Sequence, residues 1–285
     1  MFLRLWPFLI SLLASLVAGT AQAGLMINVN YSGDAAYQSA FTSAAAIWQS
    51  KLTGYQNGVV VDRSSNSSFA IGQTITGLNI TAVVQSIDGA GGILGKAGPT
   101  EGVLDQLNFV LATDGTMEFD SADAASLLSS GQFESVVLHE MAHVLGFGTL
   151  WELNGVYVKG SGEYTGAYGT AAWQVEFNQS GTPDVELGGS SGTANSHWNE
   201  VDGGAGLTGI VDASGRDMRD ELMTGWLNPN SFISNMTVQS FRDIGFTVNS
   251  VPEPGSLMLA GLGVLAIGGY RHLRKRPALP LDIES

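Results

Sequence analysis

Cysteine is absent from all 285 residues. Disulfides, thiolate metal ligands, thiol nucleophiles and any latency device that plugs a metal with a thiolate are therefore excluded. Positive charge is scarce: 12 Lys and Arg stand against 26 Asp and Glu, a formal net charge of −14. That balance argues against nucleic acid as the main partner. Histidine is scarcer still, with four residues. One of them, His272, falls in a C-terminal stretch set apart from the body, which leaves the body three. Charged residues make up only 13% of the chain and apolar residues 44%, a balance that can bury a core. The 38 glycines point to many turns and long irregular loops, in one large domain or two lobes.

Both ends read as addresses rather than fold. Residues 1–23 carry an early Arg4, an apolar run, and the small-x-small pattern Ala21-Gln22-Ala23, so a secretory signal peptide cut before Gly24 is expected. Near the other end, Pro252-Glu253-Pro254 precedes an apolar stretch from Ser256 to Tyr270, then Arg271, Arg274, Lys275 and Arg276. The stretch is shorter than the ~20 residues of an ordinary membrane-spanning helix, and its basic flank belongs on the cytoplasmic side. This three-part order over residues 250–276 resembles the PEP-CTERM sorting signal of Gram-negative bacteria. The resemblance implies export to the envelope, outer surface or exterior, processing by an exosortase-type enzyme, and membrane contact through a short transmembrane helix. Residues 277–285 continue beyond the point where such tails usually stop.

The body, residues 24–249, opens with alternating apolar residues over LMINVNYSG, which predicts a strand. An amphipathic helix follows over Asp34 to Lys51, with Ala36, Phe41, Ala44, Ala45 and Trp48 at helical spacing. GVVVDR, NITAVVQSIDG and DQLNFVLATDGTMEFD read as strands, SADAASLLSSGQ as a short helix, and ESVVLHEMAHVLGFG as a helix stopped by Gly146 and Gly148. Residues 152–216 read as loop with one short helix near Gly169 to Phe177, and NMTVQSFRDIGFTV as a last helix and closing strand. A β-α-β-β order with a central helix suggests an α+β fold with a more irregular second part.

Chemistry concentrates at His139-Glu140-Met141-Ala142-His143. On a helix, positions i and i+4 share a face, so both imidazoles can converge on one metal ion. Glu140 projects beside them, where a general base for an activated water belongs, while Val137, Met141 and Val144 can pack inward. A catalytic zinc takes three protein ligands and water. Thr149 stands where one large group of such enzymes carries a third histidine, and it is a poor ligand. His197 is a candidate, and equally a packing residue beside Trp198; Glu152, Glu163 and Glu176 are alternatives.

Taken in order, HEMAHVLGFGTLW, SHWNE and DELMTGW resemble the leishmanolysin-like metallopeptidases, a branch of the metzincins. The resemblance implies a two-lobed fold with a twisted mixed sheet and helices in one lobe, an irregular second lobe and a cleft between. It implies zinc held by His139, His143 and His197, Glu140 as the catalytic residue, Gly146 as the turn beneath the metal and Met223 as the methionine under the site. The activity implied is endopeptidase cleavage of a protein or peptide. The chain departs from the protozoan members in lacking disulfides and a propeptide cysteine. Its first strand follows the leader closely, leaving little room for a propeptide, and Thr224-Gly225-Trp226 offers no tyrosine switch after Met223. Other readings are a zinc hydrolase acting on an extracellular ester or cell-wall amide, and a catalytically silent envelope or matrix protein. The acidic clusters DGTMEFDSAD and GRDMRDE also offer oxygen ligands for calcium.

Overall fold

Strand 1 (β1, Met26–Ser32) buries Ile27 and leaves Asn28 and Asn30 exposed, the period-2 pattern of a half-covered sheet. The computed structural model describes residues 24–249 except 57, 67, 191 and 202–205. The expected signal peptide, sorting segment and tail lie outside the described residues. Asp34 caps a single 3-10 turn (Ala35–Tyr37) that leads into α1 (Gln38–Lys51), whose Ala40, Phe41, Ala44, Ala45 and Trp48 are buried. Then come β2 (Leu52–Tyr55), β3 (Val61–Ser64), β4 (Gly77–Gln85), β5 (Gly95–Asp105) and β6 (Val110–Asp120). The helices α2 (Ser121–Ser129) and α3 (Phe133–Leu145) follow, and after them α4 (Ala167–Glu176), α5 (Asn235–Asp243) and β7 (Phe246–Val248).

The main sheet runs β1-β4-β6-β5-β3, with β1, β4 and β6 parallel and β5 and β3 antiparallel to their neighbours. β2 and β7 form a separate antiparallel pair. The fold is therefore α+β with a mixed sheet. α1 and α3 pack together, and Phe41, Phe119 and Phe133 interlock with ring centroids 5.4–6.0 Å apart. Trp48 donates from Nε1 to Leu138 O at 3.0 Å, fixing α1 against α3 one residue before His139. The opposite face of the sheet is polar, with Asn28, Asn79 and Asp114 bonded side chain to side chain across β1, β4 and β6.

Two strands escape the sequence pattern, so the expected β-α-β-β order is incomplete. β5, GKAGPTEGVLD, has few apolar residues and a largely half-exposed surface, so it carries no alternation to read. β2 has four residues. The run 105–120 is also corrected: Asp105 accepts from Leu107 N and Phe109 N and bends the chain there, and the strand starts at Val110. Between α4 and α5 regular structure is sparse. An aromatic cluster holds the surrounding loops instead: Trp198 lies 5.0–5.1 Å, centroid to centroid, from Phe147, Trp151 and Tyr164.

Candidate metal centre

α3 presents His139 and His143 one turn apart, and ends where Gly146 takes a left-handed conformation (φ 113°) that leaves its N–H free to meet His143 O and Ala142 O. Phe147 then turns its carbonyl back to accept from His143 Nδ1 at 2.9 Å. Gly148 (φ 71°) is the next constraint: a Cβ there would overlap the backbone of Ser196, the residue before His197. Only glycine lets the chain leaving α3 pass this close to the returning segment.

The excursion after Leu150 brings His197 back through a short antiparallel contact. Val185 bridges Trp198, Glu186 N donates to His197 O at 3.0 Å, and Asn199 N to Asp184 O at 2.9 Å. Trp198 Nε1 donates to Thr237 Oγ1 on α5 at 2.8 Å. The result is three converging imidazoles. The Nε2 atom of His197 lies 2.9 Å from that of His139 and 3.1 Å from that of His143, and the last two are 3.1 Å apart. Among the described residues no other group of three or more His, Asp or Glu converges at ligating distance.

Protonation follows from the outer contacts. His139 Nδ1 faces Leu222 O at 2.7 Å, His143 Nδ1 faces Phe147 O and His197 Nδ1 faces Thr193 O at 2.9 Å. A carbonyl oxygen only accepts, so each Nδ1 carries the proton. Burial depresses all three rings, taking His197 down to about 3 and His143 well below the usual range, which keeps them neutral. Three Nε2 lone pairs then point at one another with no proton to share. That arrangement is repulsive by itself and fits a small cation at its centre, and neutral imidazoles with carbonyl-bonded outer nitrogens are the donor set that zinc takes.

Glu140 follows His139 on α3 and is buried, which pushes its carboxyl up to about 8. β5 starts against it: a Cβ on Gly95 would sit 3.0 Å from Glu140 Cγ and Oε1. β5 is also exposed along one side. Asp120 N donates to Leu94 O, so by the antiparallel alternation Gly95 and Ala97 turn their backbone groups away from β6. β3 pairs with β5 only at Val103–Asp105, and no other described strand covers that edge between Gly95 and Glu101.

Met223 is fully buried in the turn beneath His139, and its carbonyl accepts from Trp198 N at 3.0 Å. The turn is held by Glu221, the last residue of the acidic cluster GRDMRDE, which here meets protein donors. Its buried carboxylate accepts from Met223 N, Ser234 N, Ser234 Oγ and Thr237 Oγ1 at 2.6–3.0 Å. The alternative ligands stand elsewhere: Glu152 and Glu163 are exposed, and Glu176 accepts from Asn235 N and Met236 N at the start of α5. Thr149 donates to His143 O at 2.7 Å. In the acidic clusters, Asp120 accepts from the N–H groups of Ile87, Asp88, Gly89 and Ala122, and Asp217 from Thr208, Gly209 and Arg219.

The family model described as the PEP-CTERM protein-sorting motif matches residues 250–275. That motif marks a chain for export to the cell envelope or surface in Gram-negative bacteria and implies an exosortase-type processing partner. No curated protein matches the chain. No described helix is long and apolar enough to cross a membrane.

Proposed function

We propose that this chain is an exported zinc-dependent endopeptidase of the leishmanolysin-like, two-lobed metzincin type, with the sheet, α1 and α3 on one side of the site and the loops bearing His197 and Met223 on the other. The observation that carries the reading is the convergence of three Nε2 lone pairs beside a buried carboxyl. His139, His143 and His197 hold the ion. Bound there, zinc supplies Lewis acidity that polarises a carbonyl oxygen and acidifies water. Glu140 accepts the proton of the attacking water at its carboxylate and returns it to the leaving amine. Leu222 O, Phe147 O and Thr193 O keep the three rings in the ligating tautomer throughout.

The unpaired edge of β5 favours a polypeptide over an ester or a cell-wall amide. Gly95, which lies against Glu140, and Ala97 offer outward N–H and C=O groups, and an extended peptide can pair with them as an added strand. A panel comparing an unfolded protein, simple esters and cell-wall amides, each with and without a zinc chelator, tests this. Chelator-sensitive cleavage of the protein alone is expected. Cleavage confined to ester or cell-wall substrates would replace the peptidase reading with its hydrolase alternative.

A further inference from the structure

A proline stands inside β5: Pro99, opposite Gly115 of β6. Proline has no N–H, so it fits a paired strand only where its nitrogen faces away from the partner. That is its place here. Leu94 O accepts from Asp120 N, so by the antiparallel alternation Lys96 and Gly98 face β6, while Gly95, Ala97 and Pro99 turn outward. Beyond Pro99 the register with β6 shifts twice before Gly102. The outward groups of Gly102 are already taken. Its N–H donates to Ser65 Oγ at 2.9 Å, and its carbonyl accepts from Ser65 N at 3.0 Å and from Ser65 Oγ at 3.1 Å.

The free edge of β5 therefore has two ends. It opens at Gly95, where an added Cβ would press on the Glu140 side chain, and it closes at Pro99 and the Ser65 clasp. Between them, Gly95 and Ala97 each turn out an N–H and a carbonyl, and Pro99 adds a carbonyl alone. An exposed edge invites pairing with any extended chain, and proline is one device that blocks it. Here the block falls about 13 Å along the strand from Gly95, and it leaves the stretch beside Glu140 open. We propose that Pro99 and Ser65 set the length of substrate that β5 can read. About three consecutive residues on one side of the scissile bond pair through their backbone, and residues further out meet no donor on β5. The substrate class this defines is a short extended segment, a loop or an unfolded stretch, in place of a long strand. The inference rests on the peptidase reading and adds to it a limit that the metal centre does not impose.

The test uses the full chain loaded with zinc. A peptide that the wild type cleaves is rebuilt as a series, lengthened one residue at a time on each side of the scissile bond, and kcat/KM is measured for each member. On one side the wild type is expected to climb to about the third residue and then level off. Pro99→Ala supplies the missing N–H. It should raise the ratio of kcat/KM for a peptide two residues longer to that for the three-residue one by about 3–10-fold over the wild-type ratio, the effect of one added hydrogen bond. A general disturbance of the fold moves both peptides together and leaves that ratio unchanged. An equal ratio in the two proteins overturns the proposal, and so does a wild-type kcat/KM that keeps climbing with length on both sides. No cleavage of any peptide by the zinc-loaded wild type overturns the peptidase reading, and the length limit with it.

Discussion

At the residue scale, Glu140 is the group whose behaviour is most sharply defined. Its carboxyl is held near 8 in the folded, metal-free chain and returns to the ordinary value near 4.5 on unfolding. A raised folded value contributes stability that is complete below pH 4.5 and is lost as pH rises toward 8. The isosteric Glu140→Gln does not titrate. Metal-free Glu140→Gln should therefore match the wild type near pH 4 and overtake it with rising pH, by at most about 1.4 kcal/mol per unit, levelling off above pH 8. Chemical denaturation of both proteins across that range checks it; a difference independent of pH would mean that Glu140 is ionised in the folded state. Gly148 makes a second prediction. Alanine there meets an unfavourable φ and the Ser196 backbone, so Gly148→Ala should cost about 1–3 kcal/mol and loosen zinc retention, measured by dialysis against a chelator.

At the scale of elements, the site is a meeting of α3 with two loops, and α5 ties those loops together. Glu221 and Thr237 link the Met223 turn, the start of α5 and Trp198 in one buried network. Glu221→Ala leaves several donors unmatched and is expected to lose about 3 kcal/mol of stability and to weaken metal binding. Met223→Leu keeps volume and the backbone carbonyl that Trp198 uses, so it should cost under about 1.5 kcal/mol with turnover little changed. Denaturant midpoints and metal content separate the two. The network also marks what was legible in the sequence. His139, Glu140 and His143 could be placed from helical spacing alone, and Gly146 from its position after the last turn. β5 could not, because Gly95, Gly98, Pro99 and Gly102 erase the alternation and its partner β6 supplies the order. The role of Glu221, which the sequence offers only as one oxygen donor in the acidic cluster GRDMRDE, was hidden for a different reason. A buried carboxylate in a loop looks like a solvated one until its donors are known.

At the scale of the whole molecule, an exported chain without cysteine must hold a long irregular segment by other means. Phe147, Trp151, Tyr164 and Trp198 supply an aromatic core under the loops, and in the proposed reading zinc would add to it. If zinc binds the folded state as proposed, removing it should lower the unfolding temperature and weaken the segment around His197 first, visible as faster amide exchange there than in β4 and β6. The central claim is that three histidines hold a metal for a proton transfer carried out by Glu140. It is tested most directly by measuring hydrolysis of an unfolded protein and zinc content on the same samples of wild type and Glu140→Gln. One zinc per chain in both, with turnover about 10²–10⁴-fold lower in the variant, is the predicted result. Equal turnover in the two proteins, or a folded wild type that takes up no zinc, would contradict it.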